Sequence, residues 1–301
     1  MWLRVVLLLG ALLALALLLR RETAALQLPA IGVGTKSGST LDNIAAAISA
    51  GFTLLDTKDT NLSLEALGAA IHASKLPRDA FFVVSKLVGE RDPAAHAPAG
   101  VEAAMRAALG RAKLARWDCY MIHVTHSFGG TPVLATYRAL EHLVDAGLTR
   151  TVGLSNVRAD QLEFLLREAR IPPAVVEQEV HPYNQESALV SLCRSRGVAL
   201  LAHSPLGSAK LHARLLAEPT LVEIARRRGA SVAAVVLRWH VQRGVAPIPS
   251  SRDLAHLRAN FAAAAAPPLS ADDMAAVARL DRRERAWPKP NLVDAKSTAM
   301  I

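Results

Sequence analysis

Cysteine is almost missing from this chain. Cys119 and Cys193 are the full complement, which excludes a disulfide framework and a Cys-rich zinc module. Both lie in apolar runs, the setting of buried free thiols. Aromatic side chains make up only 4% of the residues and do not interleave with basic ones, so nucleic acid is not an expected partner. Long basic runs are absent as well; none exceeds Arg226-Arg227-Arg228. Low-complexity tracts are lacking, which excludes extended disorder. No set of His, Cys and acidic residues has metal-ligand spacing: His123 and His126 span a strand end and a loop with no third ligand nearby, and no metal is expected. At 20% charged residues the chain is too polar to cross a membrane many times.

What the chain has in quantity is apolar surface and positive charge. It has 301 residues, 51% of them hydrophobic, and α/β barrels reach this size as one unit. Lys plus Arg number 35 against 26 Asp plus Glu, a formal charge of +9 that favours anionic small ligands or an anionic membrane surface. Val5 to Leu19 is an unbroken run of apolar residues and Gly, flanked by Arg4 and by Arg20-Arg21. As a helix, Trp2 to Leu19 spans roughly 27 Å, just under a hydrocarbon core of about 30 Å. The paired arginines fit an anchor, so residues 2–19 are expected to form a hydrophobic helix that holds the protein to a membrane by a single pass. A cleaved signal ending at Thr23-Ala24-Ala25, with secretion as its outcome, and an organelle-targeting sequence are the alternatives. The expected partition is residues 1–24 as anchor or signal, 25–285 as the folded domain and 286–301 as a short tail. A monomer is expected.

From about Leu28 onward, short β-rich runs alternate with longer helical ones. The strands expected are Ala30–Gly34, Thr53–Asp56, Phe81–Ser85, Cys119–His123, Thr151–Ser155, Ala174–Gln178, Val198–Ala202 and Val245–Ile248. Several are near-continuous in apolar residues, as in strands covered on both faces. Helices are expected over 41–50, 63–73, 98–112, 132–147, 158–169, 185–196 and 218–242. Eight strands, most followed by a helix, make the count of a (β/α)8 barrel, a TIM-type α/β fold. A doubly wound sheet would want a glycine-rich turn leading straight into a helix, and Gly32-Val33-Gly34-Thr35 lacks the third glycine and the helix.

In such a barrel the loops after the strands form the functional face, so polar residues ending strands are the site candidates. They are Thr35, Asp56, Lys86, His123, Asn156, Glu177 or Gln178, His203-Ser204 and Ser250-Ser251. Singly, each is as readily a solvated rim residue or a structural histidine. Together, a carboxylate, an ammonium and an imidazole on three consecutive strand ends form a trio suited to polarising a carbonyl in a dry pocket.

The segment Gly51-Phe52-Thr53-Leu54-Leu55-Asp56-Thr57, followed by Gly68-Ala69-Ala70-Ile71, resembles the second strand and helix of aldo-keto reductases. Matches continue in order: Val84-Ser85-Lys86-Leu87, Asp118 to His123, Gly153-Leu154-Ser155-Asn156, Glu179-Val180-His181-Pro182-Tyr183, Ser204-Pro205-Leu206-Gly207, Leu237-Arg238-Trp239, and Ile248-Pro249 with Asn260-Phe261. The likeness covers about residues 28 to 282. It implies an NADP(H)-dependent reduction of aldehydes or ketones, with a small-molecule carbonyl substrate. In that family an Asp, Tyr, Lys and His act together, the Tyr as general acid with its pKa lowered by the Lys–Asp pair. The Asp falls on Asp56, the Lys on Lys86 and the His on His123. The Tyr position, five residues after the Asp, is Asn61.

An amide donates a hydrogen bond to a developing alkoxide but delivers no proton at neutral pH. Losing the acid costs about 10² to 10⁴ in rate. Asp59, on the same loop, is a candidate for a substitute role, though its loop position reads more readily as a solvated charge. The resemblance carries cofactor contacts to Gly34, Thr35, Asp56, Ser155, Asn156, Glu177 (a Gln in the family), His203 (an aromatic that stacks on the nicotinamide), Ser204, Pro205, Leu206, Gly207 and Ser208. After the eighth strand the family places a Lys and an Arg around the adenosine 2′-phosphate; Ser250 and His256 stand there, with Ser251 and Asn260 kept. NADP(H) is expected, with NAD(H) as an alternative. Two readings follow: a carbonyl reductase with altered acid catalysis, and a nucleotide-binding sensor or scaffold without useful turnover. A Schiff-base enzyme built on Lys86 is a third, less favoured one.

Overall fold

The computed structural model describes residues 26–35, 39–60, 62–88, 93–123 and 133–287. Its strands are β1 (Gly32–Gly34), β2 (Leu54–Asp56), β3 (Phe82–Leu87), β4 (Trp117–Ile122), β5 (Thr149–Ser155), β6 (Val175–Glu179), β7 (Ala199–His203) and β8 (Val245–Pro247). All neighbours pair parallel and in chain order. The Gly34 N–H donates to Pro249 O at 3.1 Å, which brings the first strand against the last. This is the expected (β/α)8 barrel.

The helices of the described residues are α1 (Leu41–Ser49), α2 (Leu64–Ala73), α3 (Pro98–Ala112), α4 (Val133–Asp145), α5 (Ala159–Glu168), α6 (Ser187–Ser195), α7 (Ser208–Leu216), α8 (Pro219–Arg228), α9 (Val232–Gln242), α10 (Leu254–Ala265) and α11 (Ala271–Ala278). The first six match the sequence reading within about two residues at each end. The single helix expected over 218–242 is two: Gly229 ends α8 in the left-handed conformation, and the Ser231 hydroxyl accepts from Ala234 N–H to start α9. Three helices, α7, α10 and α11, were not legible in the pattern.

Side-chain alternation sorts the strands into two layers. Leu54, Val84, Cys119, Met121, Val175, Leu201, Ala246 and Ile248 pack together inside the barrel. Leu55, Val83, Tyr120, Ile122, Val152, Val176 and Leu200 face the helices in the larger core. Continuing the inward series by two residues on each strand reaches Asp56, Lys86, His123, Ser155, Glu177 and His203, which is why these polar groups share one mouth. Gly153 belongs to the same series, and a Cβ there would lie 2.4 Å from Val175 O and 3.2 Å from Cys119 Sγ. At that point the wall admits no side chain.

The expected membrane localisation is corrected. No helix among the described residues is long and apolar enough to cross a membrane; the longest, α3, has 15 residues, against about 20 needed to span a bilayer. The apolar segment on which single-pass anchoring rested, residues 2–19, lies outside the described residues, and the anchoring assignment is withdrawn.

Candidate active site

The centre of the mouth is a buried ionic cluster. Lys86 Nζ donates to Asp56 Oδ1 at 2.5 Å and to Thr57 O at 3.0 Å, and lies 2.9 Å from Glu177 Oε2. The first two oxygens accept hydrogen bonds from the ammonium, and the Glu177 oxygen faces it as an ion pair without one. All three side chains are buried, with Lys86 4% exposed. Burial works against the charged lysine, but Asp56 and Glu177 outweigh it and hold the ammonium above the ordinary lysine range. Glu177 behaves oppositely: burial, then the charge of Asp56, push its carboxyl up to about 8 despite Lys86. The adjacent alternative, Gln178, points the other way and donates to Glu186 Oε1 at 3.2 Å.

A second set of contacts rims the mouth. Asn156, in the left-handed conformation at φ 56°, donates from Nδ2 to His123 O at 2.9 Å and to Ser155 Oγ at 3.1 Å. Its Oδ1 lies 3.2 Å from His203 Nε2, and His203 Nδ1 lies 3.3 Å from Ser204 Oγ. His123, Ser155, Asn156, His203 and Ser204 are thereby brought together. Beyond them Ser204, Gly207 and Ser208 all have positive φ. Pro205 O faces His240 Nε2 at 3.4 Å and Leu206 O faces His212 Nδ1 at 3.1 Å, so the two carbonyls point away from the mouth. Gly207 leads into α7 without any side-chain cap on that helix, an N-terminus suited to an anionic group.

On the far side, Thr35 N–H and Oγ1 both donate to Asp56 O, at 2.8 and 2.9 Å, tying β1 to β2. Ser250 and Ser251 follow β8 and are half-buried; Asn260 is buried on α10. The start of α10 is closed by its own carboxylate. Asp253 Oδ1 accepts from His256 N–H at 2.9 Å, a bond that holds this carboxyl below the usual range, and Ser251 Oγ accepts from Asp253 N–H at 3.0 Å. Arg252, His256 and Arg258 are exposed. Asn61 lies outside the described residues.

Sequence reasoning missed two features. Asp59 is not a solvated charge: it accepts from the Tyr120 hydroxyl and from Ser85 Oγ, the latter at 2.9 Å, and its N–H donates to Lys86 O at 3.1 Å. Burial, only partly offset by these bonds, pushes its carboxyl up to about 7. It sits behind β3, between barrel and helices, so the signal was in the outward residues Ser85 and Tyr120. The second is Glu179, whose carboxylate accepts from His181 Nε2 at 3.0 Å, Ala286 N–H at 2.5 Å and Trp287 N–H at 3.2 Å. Trp287 Nε1 donates to Ser204 Oγ at 3.2 Å, so the end of the described chain is strapped beside the mouth.

Fold and site together define a parallel (β/α)8-barrel protein whose charged residues converge at the C-terminal ends of the strands. The chain belongs to the aldo-keto reductase family: the model of the Aldo/keto reductase family matches residues 31–282. It is 33% identical over 290 residues to aldo-keto reductase family 1 member A1-A of Danio rerio, covering 86% of this chain and 88% of that protein. To aldo-keto reductase family 1 member A1 of Bos taurus it is 36% identical over 257 residues, covering 75% and 78%. Among solved structures it superposes with a TM-score of 0.82 on an aldo-keto reductase from a Medee basin deep-sea metagenome library, at 27% identity, covering 89% of this chain and 97% of that one. An aldo-keto reductase complexed with NADPH gives a TM-score of 0.80 at 27% identity, covering 87% and 86%. Family membership supports carbonyl reduction with a nicotinamide cofactor.

Proposed function

We propose that this chain reduces aldehyde or ketone carbonyls to alcohols with NADP(H), or with NAD(H), and does so with Asn61 where the family carries its catalytic tyrosine. The observation that supports this most is the buried Asp56–Lys86 pair at 2.5 Å, at the mouth of the barrel. The residues present fit most of a nicotinamide dinucleotide. Ser155 and Asn156 offer an amide-binding pair, His203 a flat ring, and the uncapped start of α7 after Ser204-Pro205-Leu206-Gly207-Ser208 a place for the pyrophosphate. Gly34 leaves room beside Ile248 O, with Thr35, Ser250, Ser251 and Asn260 around the rest. The cofactor supplies the hydride when bound. Lys86, held by Asp56, keeps positive charge below the reacting oxygen; His123 and the Asn61 amide donate to it as charge develops.

The 2′-phosphate end fits less well. Asp253 puts a carboxylate at the start of α10, where the family's cations are replaced by Ser250 and His256. Preference for NADP(H) over NAD(H) is therefore narrowed in this chain.

A second reading, a nucleotide-binding sensor or scaffold without useful turnover, is favoured by Asn61 alone. NADPH consumption with a reactive aromatic aldehyde separates the two, with Asn61→Tyr measured alongside. Turnover by the wild type above the no-enzyme rate supports the reductase. Turnover by Asn61→Tyr alone hands the site to the second reading, and turnover by neither rejects the reductase.

A further inference from the structure

We propose that Glu177 is the proton donor of this site, standing in for the absent phenol from its buried place beside the Lys86 ammonium. The inference rests on the reductase reading and deepens it.

The search for an acid starts with the tyrosines, of which the chain has three. None serves the mouth. Tyr120 faces the helices and donates to Asp59; Tyr137 donates to Ile171 O at 3.0 Å; Tyr183 donates to Glu218 Oε2 at 2.8 Å. Asp59 lies on the outer side of β3 with Tyr120 and Ser85, so the barrel wall separates it from the mouth. Glu177 is different. It is on the inward series of β6, buried to 4% exposure, and 2.9 Å from Lys86 Nζ.

Charge counting then assigns it a proton. Two carboxylates, Asp56 and Glu177, share one ammonium inside the barrel, which leaves one excess negative charge in a dry site unless a proton joins the cluster. Among the described residues, the charges that act on Glu177 are those of Asp56 and Lys86. Cys119 on β4 is a thiol that burial pushes up to about 12, Ser155 is its register partner on β5, and Leu201 its partner on β7. Asp56 is the carboxylate bonded more tightly to Lys86, at 2.5 Å, so the proton belongs on Glu177. A carboxyl that titrates near neutrality is matched to general-acid work.

The step balances. The carbonyl carbon receives hydride from the reduced nicotinamide while Glu177 gives its Oε proton to the carbonyl oxygen, and the alcohol leaves. The Glu177 carboxylate that remains is held by Lys86, and its charge would balance that of an oxidised nicotinamide bound in the mouth. Water then returns the proton to Glu177.

Two measurements test this. The first is infrared spectroscopy of the cofactor-free protein across a pH titration, following the C=O stretch of protonated carboxyls. A band that persists at about pH 7, survives in Asp59→Asn and disappears in Glu177→Gln is expected; its absence from the wild type at that pH overturns the proposal. The second is the pH dependence of NADPH oxidation with an aromatic aldehyde. Wild-type turnover should fall as pH rises through about 8. Glu177→Gln should lose about 10²- to 10⁴-fold and the alkaline decline with it, and Glu177→Asp should recover part of both. Asn61→Tyr in the Glu177→Gln background should restore turnover with a different pH profile. A Glu177→Gln protein with wild-type rate and profile overturns the proposal. Wild-type protein that does not turn over rejects the reductase reading and the transfer step together, and the carboxyl band still judges the protonated Glu177 by itself.

Discussion

A carboxyl that burial pushes toward neutrality binds its proton more tightly in the folded chain than in the unfolded one. Asp59, at about 7 against an ordinary 3.8, is such a group, and so is Glu177. The sign follows from proton counting: with a raised folded pKa, the contribution to stability is complete below the unfolded pKa and is lost as pH rises through the folded one. Folding free energy should therefore decline between about pH 4 and pH 7 on account of Asp59. Asn at this position keeps the acceptor for Tyr120 and removes the charge. Urea unfolding of Asp59→Asn at several pH values should give a flatter profile over that window, with the variant gaining most on the wild type above pH 7. An unchanged slope would mean that Asp59 is ionised and solvated after all. Nothing in the local sequence announced this residue's burial, because its partners Ser85 and Tyr120 come from two other strands. Asp56 and Lys86 were legible, since each ends a plain apolar strand. The contact between Lys86 and Glu177 was not: it joins β3 to β6 across the barrel, and periodicity carries no information on which inward residues touch.

Helices α2 and α3 meet at Gly68. A Cβ added there would lie 1.7 Å from Ala112 O, a backbone atom that cannot swing aside. Gly68→Ala is expected to cost about 1–3 kcal/mol or more through forced separation of the two helices, read as a lowered urea midpoint at constant slope. Helix α10 makes a different prediction. Its N-terminus is closed by the Asp253 carboxylate, and Asp253→Asn keeps the cap while removing the charge. Affinity for NADPH relative to NADH, measured by fluorescence titration, should rise about two- to fivefold, the equivalent of about 0.3–1 kcal/mol, and more at low salt. An unmoved ratio would place the adenosine ribose away from this helix. The same helix explains a gap in the sequence reading. Leu254-Ala255-His256-Leu257-Arg258-Ala259-Asn260-Phe261-Ala262-Ala263-Ala264-Ala265 is alanine-rich and only weakly two-faced, so no apolar stripe marks it out. Between α8 and α9 the apolar spacing runs on through the break, and only Gly229 and Ser231 signal it.

At the scale of the molecule, the barrel was legible because eight apolar runs alternate with helical ones, and right-handed crossovers that place each strand beside the one before it close such a series into a barrel. The mouth's outer edge was less so. Arg285 pairs with Glu186, Arg282 N–H and Glu284 N–H donate to Tyr183 O, and Ala286 and Trp287 close on Glu179, a set of contacts made after the last helix by a segment without pattern of its own. The seam between β1 and β8 has a consequence in time. Gly34 bonds to Pro249, on the order of 200 residues later. At a synthesis rate of about 5–20 residues per second, the free edge of β1 waits tens of seconds for its partner while the chain is being made. During that interval the nascent protein presents an open sheet edge that the finished one never does, and a cell that makes this protein in quantity has to shield it.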